Sequence, residues 1–539
     1  MRPRRTPRAS RPDRECYPRQ GRGAADFGDG SPPAPARALG WLRVVVIGTT
    51  FGTGPELDSF YAAFRFPDLV FNLVATGALT AALVPPIASL LATGRTQRAW
   101  RVASSVSVAV AIASALFGLV LLIGAPALVP IIAPGFGPER TALTIELTRI
   151  MAFGPLLLAV GAVVTAVLNA TGRFAASMAA PIAYNVVTIS AAILLPQFIG
   201  VRGLAVGVVL GALAFLLVQL APLRRTGFRF TRHVALRDPE ERDAAVLLLP
   251  RAFGLGVGQL QLIVATTLAS TLAAGSVAAF AIAYTVYMIP VGTIGVPLGV
   301  VALPALTARF ARGEVTEYAS LLVKTVRLML FVMLPMTGVA IVLRTELVTI
   351  LFNYGRFDTR SVALTSDTLL FLLPGLAADG LNVLLARAVY SRGGTWAPVV
   401  SGTTELAITV AAGAALVGTW GLSGIAAGFA IGAWAETAIL LGTILATTRA
   451  FDVGMLARGT VTFLVAAAGA TAAAWLVERG MYTAGFDAGK VAALVQLVVA
   501  GGAAVAVYAA LALLLRVPEL PDTLRLAIGA LRRERPAIT

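Results

Sequence analysis

Apolar runs of some twenty residues or more, separated by short arginine-bearing loops, follow one another from about residue 38 to residue 515. Hydrophobic residues make up 58% of the 539 positions and charged residues 13%, whereas a water-soluble domain carries about 25% charged residues. A chain in hydrocarbon must satisfy every backbone N–H and C=O internally, and a helix does so within one segment of about 20 residues. The runs after Ala38–Phe51 fall at 60–92, 103–133, 141–169, 174–198, 202–222, 245–273, 276–308, 318–352, 362–390, 395–418, 421–447, 459–478 and 489–515. The reading is an all-α polytopic membrane protein with about 14 transmembrane helices. Ala38–Phe51 is short for a span and must tilt or borrow preceding residues.

The formal net charge of +16 does not point to nucleic acid, because no basic face interleaved with aromatics is present. Arginines cluster instead in alternate loops: Arg95, Arg98 and Arg101; Arg173; Arg224, Arg225, Arg229 and Arg232; Arg309 and Arg312; Arg392; Arg449 and Arg458. The loop holding Arg344, Arg356 and Arg360 breaks the alternation, while the first opposite loop carries Glu56 and Asp58. The positive-inside rule places both termini in the cytoplasm of a multi-pass cell-membrane protein. One cysteine, Cys16, and one histidine, His233, nearly exclude zinc sites and Ser-His or Cys-His catalysis. No Walker A motif is present, so an enzyme is not expected.

An internal repeat orders the helices. Pro85, Gly94, Pro155 and Gly161 recur at one constant offset as Pro304, Gly313, Pro374 and Gly380. The division expected is a disordered basic tail (1–35), an N-lobe (36–222), a basic cytoplasmic loop (223–244), a C-lobe (245–449), two further helices (450–517) and a cytoplasmic tail (518–539). Two six-helix lobes with an even number of spans are related by an axis along the membrane normal and face each other across a central cavity.

A charge at mid-bilayer costs at least about 2.5–3.5 kcal/mol, so it usually faces a cavity. The first helices are densest in such charges: Arg37, Arg43, Glu56, Asp58, Arg65 and Asp68. Arg37 and Arg43 lie just under two turns apart, and Asp58 and Arg65 share a face of the next helix. An arginine-lined cavity suits a pyrophosphate, whose oxygens a guanidinium fork binds bidentately, with Asp58 or Glu56 holding Arg43 when the cavity is empty. Snorkelling to the headgroups is the alternative for Arg37 and Arg65. Glu146 and Arg149 are spaced to pair on one helix, and Arg251 and Arg387 are further buried-arginine candidates. Asp379, Glu405 and Glu436 in the second lobe are candidate Na⁺ or H⁺ coupling residues, with structural contacts between helices as the alternative.

The stretch from Arg37-Ala38-Leu39-Gly40-Trp41-Leu42-Arg43, through Phe51-Gly52 and Asp58-Ser59-Phe60-Tyr61-Ala62-Ala63-Phe64-Arg65-Phe66-Pro67, to Gly77-Ala78-Leu79 and Val84-Pro85 resembles the opening of the MurJ/MviN family. Leu272–Val277, Ile289-Pro290, Leu303-Pro304, Gly355-Arg356-Phe357 and Tyr390-Ser391-Arg392 agree with the same family in order and spacing. That family lies within the superfamily of multidrug, oligosaccharidyl-lipid and polysaccharide exporters. The resemblance implies a lipid-tail groove on the last two helices. It also implies flipping of lipid II, the undecaprenyl-pyrophosphate-linked peptidoglycan precursor, across a bacterial cell membrane. Arg37 and Arg43 look like two of the family's cavity arginines, and Asp58 like its acidic residue after the first loop. Val70, Phe71, Thr76, Tyr284 and Thr285 stand where the family often carries charges. Those departures keep two alternatives open: a flippase for another polyprenyl-linked glycan, and a drug/cation antiporter of the same superfamily.

Overall fold

The computed structural model describes residues 34–75, 78–231, 256–394, 396–448, 450–486 and 489–521. The tail before residue 34, Thr76, His233, most of the 223–244 loop, Arg251, Arg449 and the chain after residue 521 lie outside the described residues, as does the side chain of Phe71. Every element among the described residues is helical.

The first half begins with α1 (Ala34–Phe51), α2 (Pro55–Ala75) and α3 (Ala78–Ala92). The chain crosses back as α4 (Thr96–Ile132), and α5 (Pro138–Met151) and α6 (Gly154–Ala170) bend about the residues before Pro155. Next come α7 (Phe174–Leu194), the one-turn α8 (Pro196–Ile199) and α9 (Arg202–Arg224). In the second half, α10 spans 256–270. Then α11 (Ser276–Pro290) and α12 (Val296–Ala311) are joined through a π-helical turn at Val291–Gly295. They are followed by α13 (Val315–Val342), α14 (Arg344–Phe352), α15 (Thr359–Leu372), α16 (Leu376–Tyr390), α17 (Trp396–Trp420) and α18 (Leu422–Thr447). The chain continues into α19 (Val453–Thr483) and α20 (Lys490–Leu514).

Eleven of these helical stretches are long and apolar enough to cross a membrane. The remaining three expected crossings fall on α1, α2–α3 and α10. The expected run 318–352 is two helices, broken at Leu343, so that α14 starts afresh beyond the end of α13. One end of the bundle collects the arginine-rich loops and is the basic end; the other is the opposite end.

The repeat reaches down to backbone torsions. Gly94 and Gly313 both sit at φ +74°, Gly172 and Gly393 at +74° and +76°, and Gly200 and Gly421 at +58° and +56°. These are turns in the left-handed region, where a side chain is costly. The later pairs sit at a slightly longer offset than the first. At that longer offset Gly203, Gly207 and Gly211 on α9 match Gly424, Gly428 and Gly432 on α18. Such four-residue spacing lines one helix face with hydrogen and lets helices approach closely. A methyl group at Gly207 would lie 2.5 Å from the Ala191 Cβ of α7, and one at Gly428 would lie 2.8 Å from the Gly413 nitrogen of α17.

The last two helices pack on each other and attach through α19 along α13 and through α20 along α14. The Tyr508 hydroxyl of α20 donates to the Phe331 carbonyl at 2.6 Å. At the basic end the chain after α20 does not hang free as a tail, at least through residue 521. Glu519 is 8% exposed and accepts from Arg327 Nε at 2.5 Å, while Arg327 Nη1 donates to the Met455 carbonyl at 2.9 Å. Removing one partner from a buried ion pair strands the other charge and costs about 3–5 kcal/mol, whereas replacing both by apolar groups is often neutral. Arg327→Ala is therefore expected to lower the unfolding temperature of the purified protein markedly, and Arg327→Met with Glu519→Leu to recover most of the loss. A single variant as stable as the parent contradicts this.

Candidate functional site

Two clusters of polar side chains occupy the middle of the helices, one from each half. In the first, the 6%-exposed Arg65 on α2 donates through Nε to Thr266 Oγ1 of α10 at 2.7 Å, and its Nη2 is buried without a hydrogen-bond partner. Asp68, one turn further along, lies in electrostatic reach of both Arg65 and Arg43. Arg43 on α1 stands over the Tyr184 ring of α7, with its guanidinium carbon 5.3 Å from the ring centroid. Tyr61 completes this group, facing Arg43, Arg65 and Asp68. Two guanidinium groups thus share one carboxylate, leaving an excess of positive charge at mid-membrane.

In the second cluster, Asp379 on α16 accepts from the Tyr287 hydroxyl of α11 at 2.6 Å. Glu436 on α18 accepts from Ser401 of α17 at 3.1 Å and is hydrogen-bonded to Glu405, which also meets Gln261 of α10. Asn382 donates to the Ala433 carbonyl at 3.0 Å and accepts from Thr437 at 2.6 Å, fixing α16 against α18. The three carboxylates expected in the second half are thus gathered in one place. Tyr284 lies between the clusters, within electrostatic reach of Arg65 and Asp68 on one side and of Asp379 and Glu405 on the other. It stacks on Phe280, with Tyr287 and Phe429 beside it.

The halves meet most intimately at the opposite end. Asp58, 1% exposed, accepts from Gly275 N at 2.6 Å and Ala278 N at 2.8 Å, capping the amino end of α11 from across the seam. A carboxylate there satisfies orphan donors and complements the helix dipole. Thr53 Oγ1 hydrogen-bonds Ser361 Oγ at 2.7 Å, Arg356 N donates to the Thr49 carbonyl at 2.9 Å, and Gly135 N donates to Ser270 Oγ at 3.2 Å. Asp358 caps α15 by accepting from Ser361 N at 2.8 Å, and that bond holds its carboxyl below the usual carboxylate range. Glycine lets the backbones touch: a Cβ at Gly275 would lie 2.5 Å from the Thr53 carbonyl oxygen, and Gly52, Gly135 and Gly355 also abut backbone of the other half. Toward the basic end Arg37 Nη1 donates to the Gly292 carbonyl in the π-helical turn at 2.9 Å.

Residues 47–495 match the family model described as lipid II flippase MurJ. The chain belongs to that family. A protein of Rhizobium tropici named probable lipid II flippase MurJ is 29% identical over 446 residues, covering 80% of this chain and 83% of that protein. The Burkholderia cenocepacia lipid II flippase MurJ is 29% identical over 415 residues, covering 75% and 80%. A solved structure of a lipid II flippase MurJ in an inward closed conformation superposes with a TM-score of 0.74 at 18% identity, covering 89% of this chain and 97% of that one. An inward-facing multidrug resistance MATE transporter of the MOP superfamily follows the same fold, with a TM-score of 0.61 at 19% identity over 77% and 96%. The protein is accordingly a multi-pass membrane transporter of the MurJ family.

Against the pairings expected from spacing in the sequence, several side chains take other partners. Asp58 does not hold Arg43: it lies at the opposite end with both oxygens engaged by α11, and Asp68 is the acid near Arg43. Asp58 and Arg65 do share a face of α2, since both reach the second half, but they stand about 10 Å apart along the helix. Arg37 and Arg43, spaced to face one side of α1, take different partners: Arg37 bridges to Gly292 while Arg43 meets Tyr184. Glu146 does not pair with Arg149. It takes a two-point contact from Arg202, at 2.6 and 2.9 Å, while Arg149 Nε donates to the Leu122 carbonyl at 3.1 Å. Arg387 turns to the backbone of α12 near Val296 and Gly299. Thr285 bonds back to the Ala281 carbonyl at 2.8 Å.

Tyr61, Tyr184, Tyr284, Tyr287 and Gln261 are parts of the site that charge-seeking in the sequence passes over. Gln261 was findable as a polar side chain inside an apolar run. The tyrosines carry no such signal, because an aromatic residue is as much at home in lipid.

Proposed function

We propose that the protein carries lipid II from the leaflet at its basic end, the cytoplasmic one, to the leaflet at the opposite end by alternating access. The observation that carries this reading is the Arg43–Asp68–Arg65 group on α1 and α2, mid-membrane, with buried guanidinium N–H capacity on Arg65. A pyrophosphate supplies the acceptors that two guanidinium forks need, and it brings enough negative charge to displace Asp68 as their partner. Membership of a family whose relatives are named lipid II flippases supports the same substrate. Arg37 then acts toward the basic end as a bridge between halves that gives way when substrate enters. Asp58 locks the seam and does not touch the headgroup. The N-lobe is 36–222 and the C-lobe 245–449, with α19 and α20 along the groove for the polyprenyl tail, and all fourteen expected crossings span.

The carboxylates Asp379, Glu405 and Glu436 form the coupling site in this proposal, exchanging Na⁺ or H⁺ as the halves move. Tyr284, in reach of both clusters, is the path by which occupancy of one is felt at the other. The working protein needs no further cofactor, and its partners are lipid II and the surrounding lipids.

The decisive experiment is rescue of cells depleted of their own lipid II flippase, paired with lipid II flipping in proteoliposomes. Growth and flipping are expected. Correctly inserted protein that neither rescues nor flips lipid II, yet flips another polyprenyl-pyrophosphate glycan, replaces the substrate; export of organic cations without any glycan flipping replaces the reading altogether.

A further inference from the structure

A cavity of about 330 Å³ opens at the opposite end where α13, α14 and α19 meet. Arg344, Glu478 and Arg479 supply its charge, and Trp475 and Tyr482 its aromatic wall. Trp475 and Tyr482 are each 53% exposed, as befits rings at the level of lipid headgroups. Arg344 spends Nη1 on the Ile341 carbonyl at 2.7 Å, and its Nε is buried with no partner. Just behind the wall lies Glu346, 9% exposed, with Oε2 buried and unpartnered and with Arg344 and Glu478 in electrostatic reach. Arg344 and Arg479 against Glu478 thus put both signs of charge in one cavity lining, and since polar groups left unpaired on losing water cost roughly 1–3 kcal/mol each, the cavity calls for a ligand offering both signs.

We propose that this cavity holds the headgroup of a zwitterionic phospholipid bearing a primary ammonium, of the phosphoethanolamine type. The phosphate lies on Arg344 and Arg479, and the ammonium lies toward Glu478 between the two aromatic rings. Ligand pockets run from about 300 to 1,000 Å³, so this one admits a small headgroup and excludes a disaccharide-peptide. It is therefore separate from the transported substrate. The mixed charge also sets it apart from the cavity of about 350 Å³ at the basic end, where Arg173 and Arg225 stand without any carboxylate in the lining. A trimethylated ammonium can enjoy the rings but cannot donate hydrogen bonds to a carboxylate, so the site discriminates by donors as well as by charge. A lipid seated there ties the broken end of α13 to α19 and fixes the outer mouth of the groove.

The full chain in nanodiscs of equimolar phosphatidylethanolamine, phosphatidylglycerol and phosphatidylcholine, released for native mass spectrometry, tests this. The parent protein is expected to retain one phosphatidylethanolamine several-fold over either competitor. Glu478→Gln, isosteric and partly exposed, should lower the preference for the primary amine over the trimethylated lipid to near one. Arg479→Gln should lower retention of all three lipids. Equal retention of the three lipids by the parent, survival of the preference in both variants, or complete displacement by millimolar inorganic phosphate each overturns the proposal. Unchanged melting of the variants confirms that the comparison is made on folded protein. The outcome is independent of which glycan lipid the central site carries.

Discussion

Arg43→Ala is expected to abolish lipid II flipping while leaving membrane insertion, expression and melting temperature near those of the parent. Arg43 is half-buried on α1, over Tyr184 and near Asp68. Its removal leaves the Asp58 caps and the Thr53–Ser361 contact in place, so the fold keeps these ties between halves. What is lost is one guanidinium fork at mid-membrane. Hydrogen bonds between charged groups contribute about 1.5–3 kcal/mol each, and a fork makes two in parallel, so the loss corresponds to about a hundredfold or more in substrate capture. Arg43→Lys restores the charge without the fork and should recover a part of the rate. Asp68→Asn separates the two uses of the arginine: with its resident competitor neutralised, Arg43 should bind pyrophosphate at least as well while release slows. Wild-type flipping by Arg43→Ala in proteoliposomes contradicts a cationic site on α1.

The sequence was most informative where lipid leaves the chain no choice. Apolar length fixes a helix because the backbone has no alternative partner in hydrocarbon, and the helices fall close to the runs, apart from the breaks at Leu343 and at Ala152–Phe153. The α13–α14 boundary was hidden because Arg344-Thr345-Glu346 sits between apolar neighbours on both sides. The repeat was legible from Pro85 and Pro304 and their companions. Gly203-x₃-Gly207-x₃-Gly211 against Gly424-x₃-Gly428-x₃-Gly432 is a sharper signal of the same repeat, because four-residue glycine spacing permits close helix approach. Site chemistry was legible by type and not by pairing. Arg65 and the three carboxylates were found as charges that hydrocarbon does not tolerate singly, but partners are set by which helices come together. Glu146 therefore chose Arg202 on α9 over Arg149 on its own helix, and Asp58 chose two backbone amides, with Arg140 of α5 at 3.9 Å, over Arg43. An acidic residue near the start of a helix reads from sequence as a charge. That it caps a different helix, two hundred residues away in the chain, follows only from the closed seam.

That seam gives the second large expected effect. Thr53 and Ser361 come from different halves, and their hydroxyls are 2.7 Å apart, which brings the two Cβ atoms near the roughly 3.5–4.5 Å separation that a disulfide spans. In a Cys16→Ser background, which removes the chain's one native cysteine, the pair Thr53→Cys and Ser361→Cys should crosslink on mild oxidation. Transport should then fall at least tenfold and return on reduction, since an alternating carrier must part its halves at this end to release cargo there. The neighbouring contacts make the closed state exacting: Arg356 N donates to the Thr49 carbonyl, the Asp58 carboxylate accepts from Gly275 N and Ala278 N, and the backbones approach too closely for an intervening side chain at Gly52, Gly275 or Gly355. Packed interfaces of this kind switch between discrete arrangements and do not stretch gradually, so one covalent tie suffices to hold the whole end shut. Each single-cysteine variant should transport as the background does under both conditions, which separates locking from damage to the hydroxyl pair. Quantitative crosslinking with undiminished flipping contradicts parting at this seam, and failure of the two thiols to meet contradicts its closure in the membrane.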